Sequence, residues 1–132
     1  MFITTITPRF GELDVLGHIN NISLACWFEL ARNPLFSIFH PTMPITPKTW
    51  PLIMAHSDYD FLEPIQFPLE VEIRTFVDKI GTKSFTLYQE AWQEGRLCTT
   101  GRVVLVYYNF NARQSEPLPE DIKRQLQEHV KE

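Results

Sequence analysis

One short segment near the start of the chain brings an acidic side chain, an imidazole and two asparagines close together. Asp14 is followed by Gly17, His18, Asn20 and Asn21. A carboxylate can attack a carbonyl carbon directly or remove a proton from a water molecule, and an imidazole can orient it or assist proton transfer. A glycine lets a ligand approach the backbone closely. Residue types of this kind, in this spacing, could attack a bound carbonyl group.

The same residues also have simpler structural interpretations. An aspartate before a helix is usually a loop cap, and a histidine near a helix start is usually a hydrogen-bonded structural residue. Asn20 or Asn21 can cap a helix that begins there by accepting a backbone N–H bond. A capped helix still has free N–H groups in its first turn and a positive dipole end. Both can stabilise a carbonyl oxygen that gains negative charge during a reaction. The structural and chemical interpretations are therefore compatible.

The segment after the asparagines predicts a helix. Between residues 22 and 32 only three side chains are polar, so apolar side chains would occupy nearly all sides of the helix. Such a helix must be buried, because no solvated stripe remains. Pro34 ends or kinks it, and residues 35–39 could add one more short turn.

Five segments predict β-strands, namely residues 2–10, 52–62, 69–78, 83–92 and 97–109. Apolar and charged residues alternate through the third segment, so that strand has one face in water. Gly81 and Gly95 stand where tight turns would join consecutive strands as antiparallel hairpins. Residues 103–108 are all apolar, which is typical of a central strand covered on both faces. Pro8 favours an edge position for the first strand.

The end of the chain predicts a weaker helix on the surface, in which Ile122, Leu126 and Val130 form a narrow apolar stripe. Before the second strand, residues 40–51 hold four prolines and predict a rigid connector or a mobile flap. The resulting order is a strand, a helix and then four strands. This order indicates one α+β domain over residues 1–132, with a five-stranded antiparallel sheet around a long buried central helix.

Residues 9–21, RFGELDVLGHINN, resemble the first motif of the 4-hydroxybenzoyl-CoA thioesterase-like hotdog family. In that family a strand is followed by an acidic residue, a short spacer and Gly-His-x-Asn-Asn at the start of the central helix. Residues 28–32, 59–64 and 80–85 resemble that family's helix end, second strand and third hairpin. The resemblance extends over residues 5–108 and implies the hotdog fold.

The resemblance also implies an enzyme that hydrolyses acyl-CoA or acyl-carrier-protein thioesters, with Asp14 as the catalytic carboxylate. The oxyanion donor would be the backbone N–H seven positions later, at Asn21, and His18 would orient Asp14 or assist proton transfer. The residues expected to bind substrate are Gly17, Asn20, Trp27, Phe28, Tyr59, Phe61, Lys83 and Ser84. Core packing is the simpler interpretation of the four aromatic residues, and surface solvation is that of the lysine. No metal ion and no cofactor is expected, because coenzyme A is part of the substrate.

Members of the family place their active sites between subunits, so a homo-oligomer, either a dimer or a homotetramer, is expected. Two positions depart from the family pattern. Leu24 stands where relatives often have an aromatic residue, and Pro68-Leu69 stands where many have Gly-Asp. The first departure concerns acyl specificity, and the second changes a loop.

Composition narrows the class of protein. The 132 residues are 44% hydrophobic, carry a formal net charge of −4 and contain no basic block. The chain can therefore build a core, and nucleic-acid binding is not expected because a cationic face is missing. No leader pattern and no bilayer-length apolar run are visible, which predicts a cytoplasmic protein without membrane insertion. Cys26 and Cys98 are expected to be reduced.

Several alternatives stay open at this stage. One is a carrier-protein thioesterase, and another is a dehydratase of the same fold, although its different histidine and carboxylate pattern is not found here. A third is a module that binds acyl-CoA without turnover. Within the helix, Glu29 could be a second carboxylate, although an ion pair with Arg32 or burial at a subunit contact is the simpler interpretation.

Overall fold

A computed structural model describes residues 1–39 and 50–131 of the chain. Its elements, in chain order, are β1 (Phe2–Ile6), α1 (Asn21–Ala31), α2 (Asn33–Phe36), β2 (Leu52–Phe61), β3 (Val71–Ile80), β4 (Ser84–Gln93), β5 (Arg96–Asn109), β6 (Gln114–Ser115) and α3 (Glu120–Gln127). A 3₁₀ turn at Phe10–Glu12 precedes α1. The proline-rich connector predicted over residues 40–51 lies almost entirely outside the described residues.

The strands form one curled antiparallel sheet in the order β1-β3-β4-β5-β2. The turn between β4 and β5 holds Glu94 and Gly95, both with positive φ, which matches the right-handed twist of a two-residue hairpin. The five antiparallel strands and the edge position of β1 are confirmed. The two-residue β6, paired with the end of β5, was not predicted. β1 ends at Ile6 rather than residue 10, because the chain beyond Pro8 turns into the 3₁₀ segment.

α1 lies on one face of the sheet and buries one stripe of side chains. Leu24, Trp27, Phe28 and Ala31 are buried, with the spacing of three and four residues that places side chains on one helix face. They contribute to a core cluster with the end of β1 and the start of β3. The helix therefore positions its own first turn, and the loop before it, against the sheet.

The expectation of a long helix buried on all sides is wrong for the single chain. α1 has 11 residues, an ordinary length, and α2 adds only a short turn. Ile22 and Leu30 are 77% and 51% exposed, and Cys26 between them is also exposed. Composition shows that a helix has a second apolar face, but not whether the same chain covers that face.

α3 packs against the other end of the sheet. Its narrow apolar stripe predicted a surface helix, and α3 is such a helix. Leu126 is fully buried in a second core cluster, with Ile122 and Val130 partly buried against it. The chain after α3 also pairs with β3, where the Val77 N–H donates to the His129 carbonyl at 2.9 Å. This contact falls beside the register shift after Val77, because a bulge interrupts the ladder and frees backbone groups.

Candidate active site

The loop that carries Asp14 is closed by its own hydrogen bonds. Asp14 Oδ1 accepts the Leu16 N–H at 2.8 Å and the His18 N–H at 3.1 Å. The Asp14 N–H donates to the His18 carbonyl at 2.8 Å, and the Gly17 N–H donates to the Asp14 carbonyl at 3.1 Å. Gly17 has a φ of +78°, which a residue without Cβ adopts at low cost. The loop thus presents an exposed carboxylate in a defined orientation.

The start of α1 lies next to this loop. The Asn20 side chain accepts the Ser23 N–H at 2.8 Å, so Asn20, rather than Asn21, is the capping residue. Asn21 is the first helical residue, and its N–H has no partner within the helix. The Asn20 N–H donates to the Glu12 carbonyl at 2.9 Å. This bond ties the helix start to the 3₁₀ turn before Asp14.

Asp14, His18 and Asn21 line one cavity of about 340 Å³. Its other walls include Leu24 of α1, Phe61 at the end of β2, and the chain that follows β2. Asp14 is exposed and His18 is half-buried, so solvent reaches the carboxylate. The cavity therefore combines a carboxylate, an imidazole and a helix N-terminus, which together can activate water and stabilise a developing oxyanion.

The predicted aromatic residues divide between this cavity and the core. Phe61, 50% exposed, lines the cavity. Phe28 is fully buried and its ring stacks on Tyr59 at a centroid distance of 5.5 Å. Trp27 is buried, and its indole N–H donates to Glu12 Oε2 at 2.8 Å. Within this chain, Trp27, Phe28 and Tyr59 support the site from the core.

Lys83 and Ser84 lie at the turn between β3 and β4, far from Asp14. Ser84 pairs with Val106, whereas the cavity-lining Thr99 pairs with Ala91. At about 3.3 Å per residue, the seven residues from Ser84 to Ala91 separate these positions by roughly 23 Å. One chain does not bring this turn to the cavity, and a role of Lys83 and Ser84 in ligand binding stays a prediction.

Glu29 is placed away from Asp14 as well. It follows Asn21 by eight residues in α1, or about 12 Å along the axis, and lines a different cavity beside β1. The buried Arg32 donates to Gln89 Oε1 of β4 at 3.2 Å, so its guanidinium is turned to the sheet. Burial lowers the pKa of Arg32.

No role is predicted for Glu12 from the sequence, and the structure places it in the 3₁₀ turn just before Asp14, where it lines the cavity beside β1. Glu12 is 8% exposed, and its carboxylate accepts the Arg9 N–H at 2.7 Å and the Trp27 indole N–H at 2.8 Å. Burial alone would raise the pKa of this carboxyl, but the bonds from Trp27 and Arg9 outweigh burial and lower it. In the sequence, the only signal for Glu12 is its position two residues before Asp14.

Two features are absent from the described residues. Among residues 1–39 and 50–131, no group of three histidine, cysteine, aspartate or glutamate side chains is placed to hold a metal ion. In the same part of the chain, no helix has both the length and the apolar character needed to cross a bilayer.

Known proteins resemble this chain in sequence and in structure. The family model of the thioesterase-like superfamily matches residues 8–126. The structure of a predicted thioesterase from Bacillus stearothermophilus has 37% identity and a TM-score of 0.93, covering 99% of this chain and 97% of that one. A thioesterase from Thermus thermophilus, solved with coenzyme A and Zn, has 27% identity and a TM-score of 0.82, covering 95% of this chain and 96% of that one.

A sequence relative agrees with these matches. The uncharacterized protein YsmA of Bacillus subtilis (strain 168) is 31% identical over 106 residues, which are 80% of this chain and 71% of YsmA. The family match spans most of the chain, and nearly the whole chain superimposes on the predicted thioesterase from Bacillus stearothermophilus. The chain therefore belongs to the thioesterase-like superfamily, and its curled antiparallel sheet agrees with the hotdog fold.

Proposed function

We propose that this protein hydrolyses an acyl-CoA thioester to a free acid and coenzyme A, with Asp14 as the catalytic carboxylate. One observation carries the proposal: Asp14, His18 and Asn21 line a single cavity at the start of α1. Membership of the thioesterase-like superfamily supports the reaction type.

The proposed reaction uses the helix start as the oxyanion site. The thioester carbonyl oxygen lies against the N–H of Asn21, where the helix dipole favours negative charge. Asp14 either attacks the carbonyl carbon, forming a mixed anhydride that water hydrolyses after the thiolate has left, or removes a proton from the attacking water. The C–S bond then breaks, and the thiolate of coenzyme A takes a proton, which His18 can help to deliver. Water is the second substrate, and the reaction requires no resident cofactor.

Coenzyme A is the favoured acyl carrier, because the Thermus thermophilus relative was solved with coenzyme A bound. A carrier-protein thioesterase uses the same carbonyl chemistry and is the second candidate. A module that binds acyl-CoA without turnover is the third, and it predicts that the carboxylate of Asp14 is dispensable.

The proposed enzyme is a homo-oligomer assembled through β2. β2 is a terminal strand that pairs only with β5 among the described strands, and residues 53–58 along it are all exposed. Long open edges of this kind are normally covered in native proteins. Antiparallel pairing of β2 with β2 of a second copy would cover the edge and form a symmetric dimer. A homotetramer requires a second contact surface in addition to this edge.

The test is thiol release by the wild type and by Asp14→Asn, measured on short, medium, long and aromatic acyl-CoAs. We expect the wild type to cleave at least one of these thioesters. We expect kcat of Asp14→Asn to fall by a factor of about 100 or more, because the amide can neither attack nor accept a proton. Binding of the same acyl-CoA should persist.

The control is Asp121→Asn, the same substitution at an exposed residue of α3, which should keep wild-type turnover. Equal turnover of wild type and Asp14→Asn would contradict the catalytic role of Asp14. Failure of the wild type to cleave any acyl-CoA would favour the carrier-protein or the binding alternative.

A further inference from the structure

The cavity that holds Asp14 contains one buried side chain that the proposed mechanism does not use. Thr99 of β5 lines this cavity and is 1% exposed. Its hydroxyl finds no hydrogen-bond partner in the described part of the chain. A buried hydroxyl is normally paired, and the exceptions in native structures call for an explanation.

The register of the sheet shows how Thr99 reaches the cavity. Thr99 pairs with Ala91 of β4 and with Phe61 of β2. Alternation along β5 places it on the same face of the sheet as Gly101 and the buried Val103. This face is the one that α1 covers, whereas Thr100 faces the opposite side.

Seven of the twelve residues that line the cavity are apolar, and they stand beside the polar side chains of Asp14, His18, Asn21 and Glu63. The apolar lining residues are Leu16, Ile19, Leu24, Phe61, Leu62, Pro64 and Ile65. A volume of about 340 Å³ is at the lower end of ligand pockets, so it suits a small acyl group better than a whole acyl-CoA molecule. The hydroxyl oxygen of Thr99 is already buried without a partner in the described part of the chain, and an apolar acyl chain in the cavity would leave it unpaired, which is unfavourable.

We infer that Thr99 is a specificity-determining residue that hydrogen-bonds an oxygen substituent on the acyl group. The preferred substrates are therefore short acyl thioesters that carry a hydroxyl or oxo group, rather than unsubstituted acyl thioesters of the same length. This inference rests on the proposed thioesterase function and adds the substrate class. A threonine hydroxyl can donate to an oxo oxygen and can donate to or accept from a hydroxyl.

The test compares kcat/KM for butanoyl-CoA with that for 2-hydroxybutanoyl-, 3-hydroxybutanoyl- and 3-oxobutanoyl-CoA. We expect the wild type to prefer at least one oxygenated thioester. Thr99→Val has the same shape without the hydroxyl, and it should lower that preference roughly tenfold, the effect of one hydrogen bond in a buried site. Thr99→Ser should restore most of the preference.

Thr100→Val is the matched control, because it removes the neighbouring hydroxyl from the other face of the sheet and should leave the ratio unchanged. Circular dichroism and Tm verify that each variant is folded. A folded Thr99→Val with the wild-type ratio would overturn the inference while the thioesterase function stands. A wild type that prefers butanoyl-CoA to all three oxygenated thioesters would also overturn the inference.

A wild type that cleaves neither these four thioesters nor any acyl-CoA of the wider panel would remove the proposed function. The dissociation constants of the same four ligands then test the role of Thr99. Tighter binding of an oxygenated ligand that is lost in Thr99→Val would support the role of the hydroxyl. Equal binding of all four, or no binding, would overturn it.

Discussion

The carboxylate of Asp14 is held by the backbone of its own loop, through two N–H bonds to Oδ1. A loop cap and a reactive carboxylate are often treated as competing explanations for an aspartate before a helix. Here both bonds go to the same oxygen, so the loop can orient the side chain while the carboxylate stays open to the cavity. Glu12 extends this arrangement, because its carboxylate joins the 3₁₀ turn to Trp27 of α1.

The bonds to Glu12 predict a pH-dependent effect of Glu12→Gln. At pH 7 the variant should unfold more easily by about 1–3 kcal/mol, the usual contribution of hydrogen bonds to a charged group. The pKa of Glu12 is lowered in the folded protein. Its stabilisation is therefore complete above the unfolded pKa near 4.5 and is lost as pH falls through the folded pKa.

Urea unfolding of wild type and Glu12→Gln at pH 7, 5 and 3.5 measures this effect. The difference in unfolding free energy should be the same at pH 7 and 5 and smaller at pH 3.5. Glu70→Gln, at an exposed position, is the control and should change little. A difference that does not vary with pH would show that the charge of Glu12 is not the stabilising feature.

At the scale of the element, the site depends on where α1 begins. Asn20 accepts the Ser23 N–H. This cap leaves the N–H of Asn21 at the N-terminus of the helix, without a partner inside the helix. One residue earlier or later would turn the first N–H groups by about 100°, since the helix has 3.6 residues per turn. The cap thus controls both the stability of α1 and the direction of the proposed oxyanion donors.

The two asparagines allow a direct comparison of capping and non-capping side chains. Asn20→Ala should lower the free energy of unfolding by about 1 kcal/mol, the typical loss at an N-cap. Asn20→Asp should retain most of it, because a carboxylate also accepts the N–H bond. Asn21→Ala should have a smaller effect on stability. Denaturant titrations decide this, and an equal loss in Asn20→Ala and Asn21→Ala would contradict the assignment of the cap.

At the scale of the whole molecule, the two terminal strands of the sheet differ. β1 has five residues, whereas β2 has ten. Ile53, Met54 and Phe61 of β2 are 42%, 44% and 50% exposed. A long exposed edge with large apolar side chains promotes association. The short β1 offers much less pairing surface.

This difference predicts a dimer that depends on β2. Light scattering after size exclusion should give about twice the chain mass of 15.5 kDa, or a larger multiple. Met54→Lys should shift the protein towards monomer, because symmetric pairing brings two added charges into one interface. Ile3→Lys places the same charge on β1, where Ile3 is 53% exposed, and should leave the mass unchanged. A monomeric wild type, or a Met54→Lys variant with wild-type mass, would contradict assembly through β2.

The sequence by itself determined the order and type of the five long strands and of α1 and α3, and the segment that holds the candidate site. Alternation in β3, the glycines at the hairpin turns and the apolar run of α1 are local patterns, and each is interpretable without knowing its neighbours. Asp14, His18 and Asn21 lie within eight consecutive residues. The loop and the helix start bring them together through local hydrogen bonds, and the chain after β2 adds a bond from the Ile19 N–H to the Ile65 carbonyl.

Only the tertiary structure decided which distant residues join that segment. Thr99 enters the cavity because β5 pairs with both β4 and β2 in one particular register, while the turn with Lys83 and Ser84 lies at the other end of β4. A period of two indicates which face a side chain occupies, but not which strand lies beside it or in what register. The exposed face of α1 has the same origin, since burial depends on what packs against a helix and not on its own composition.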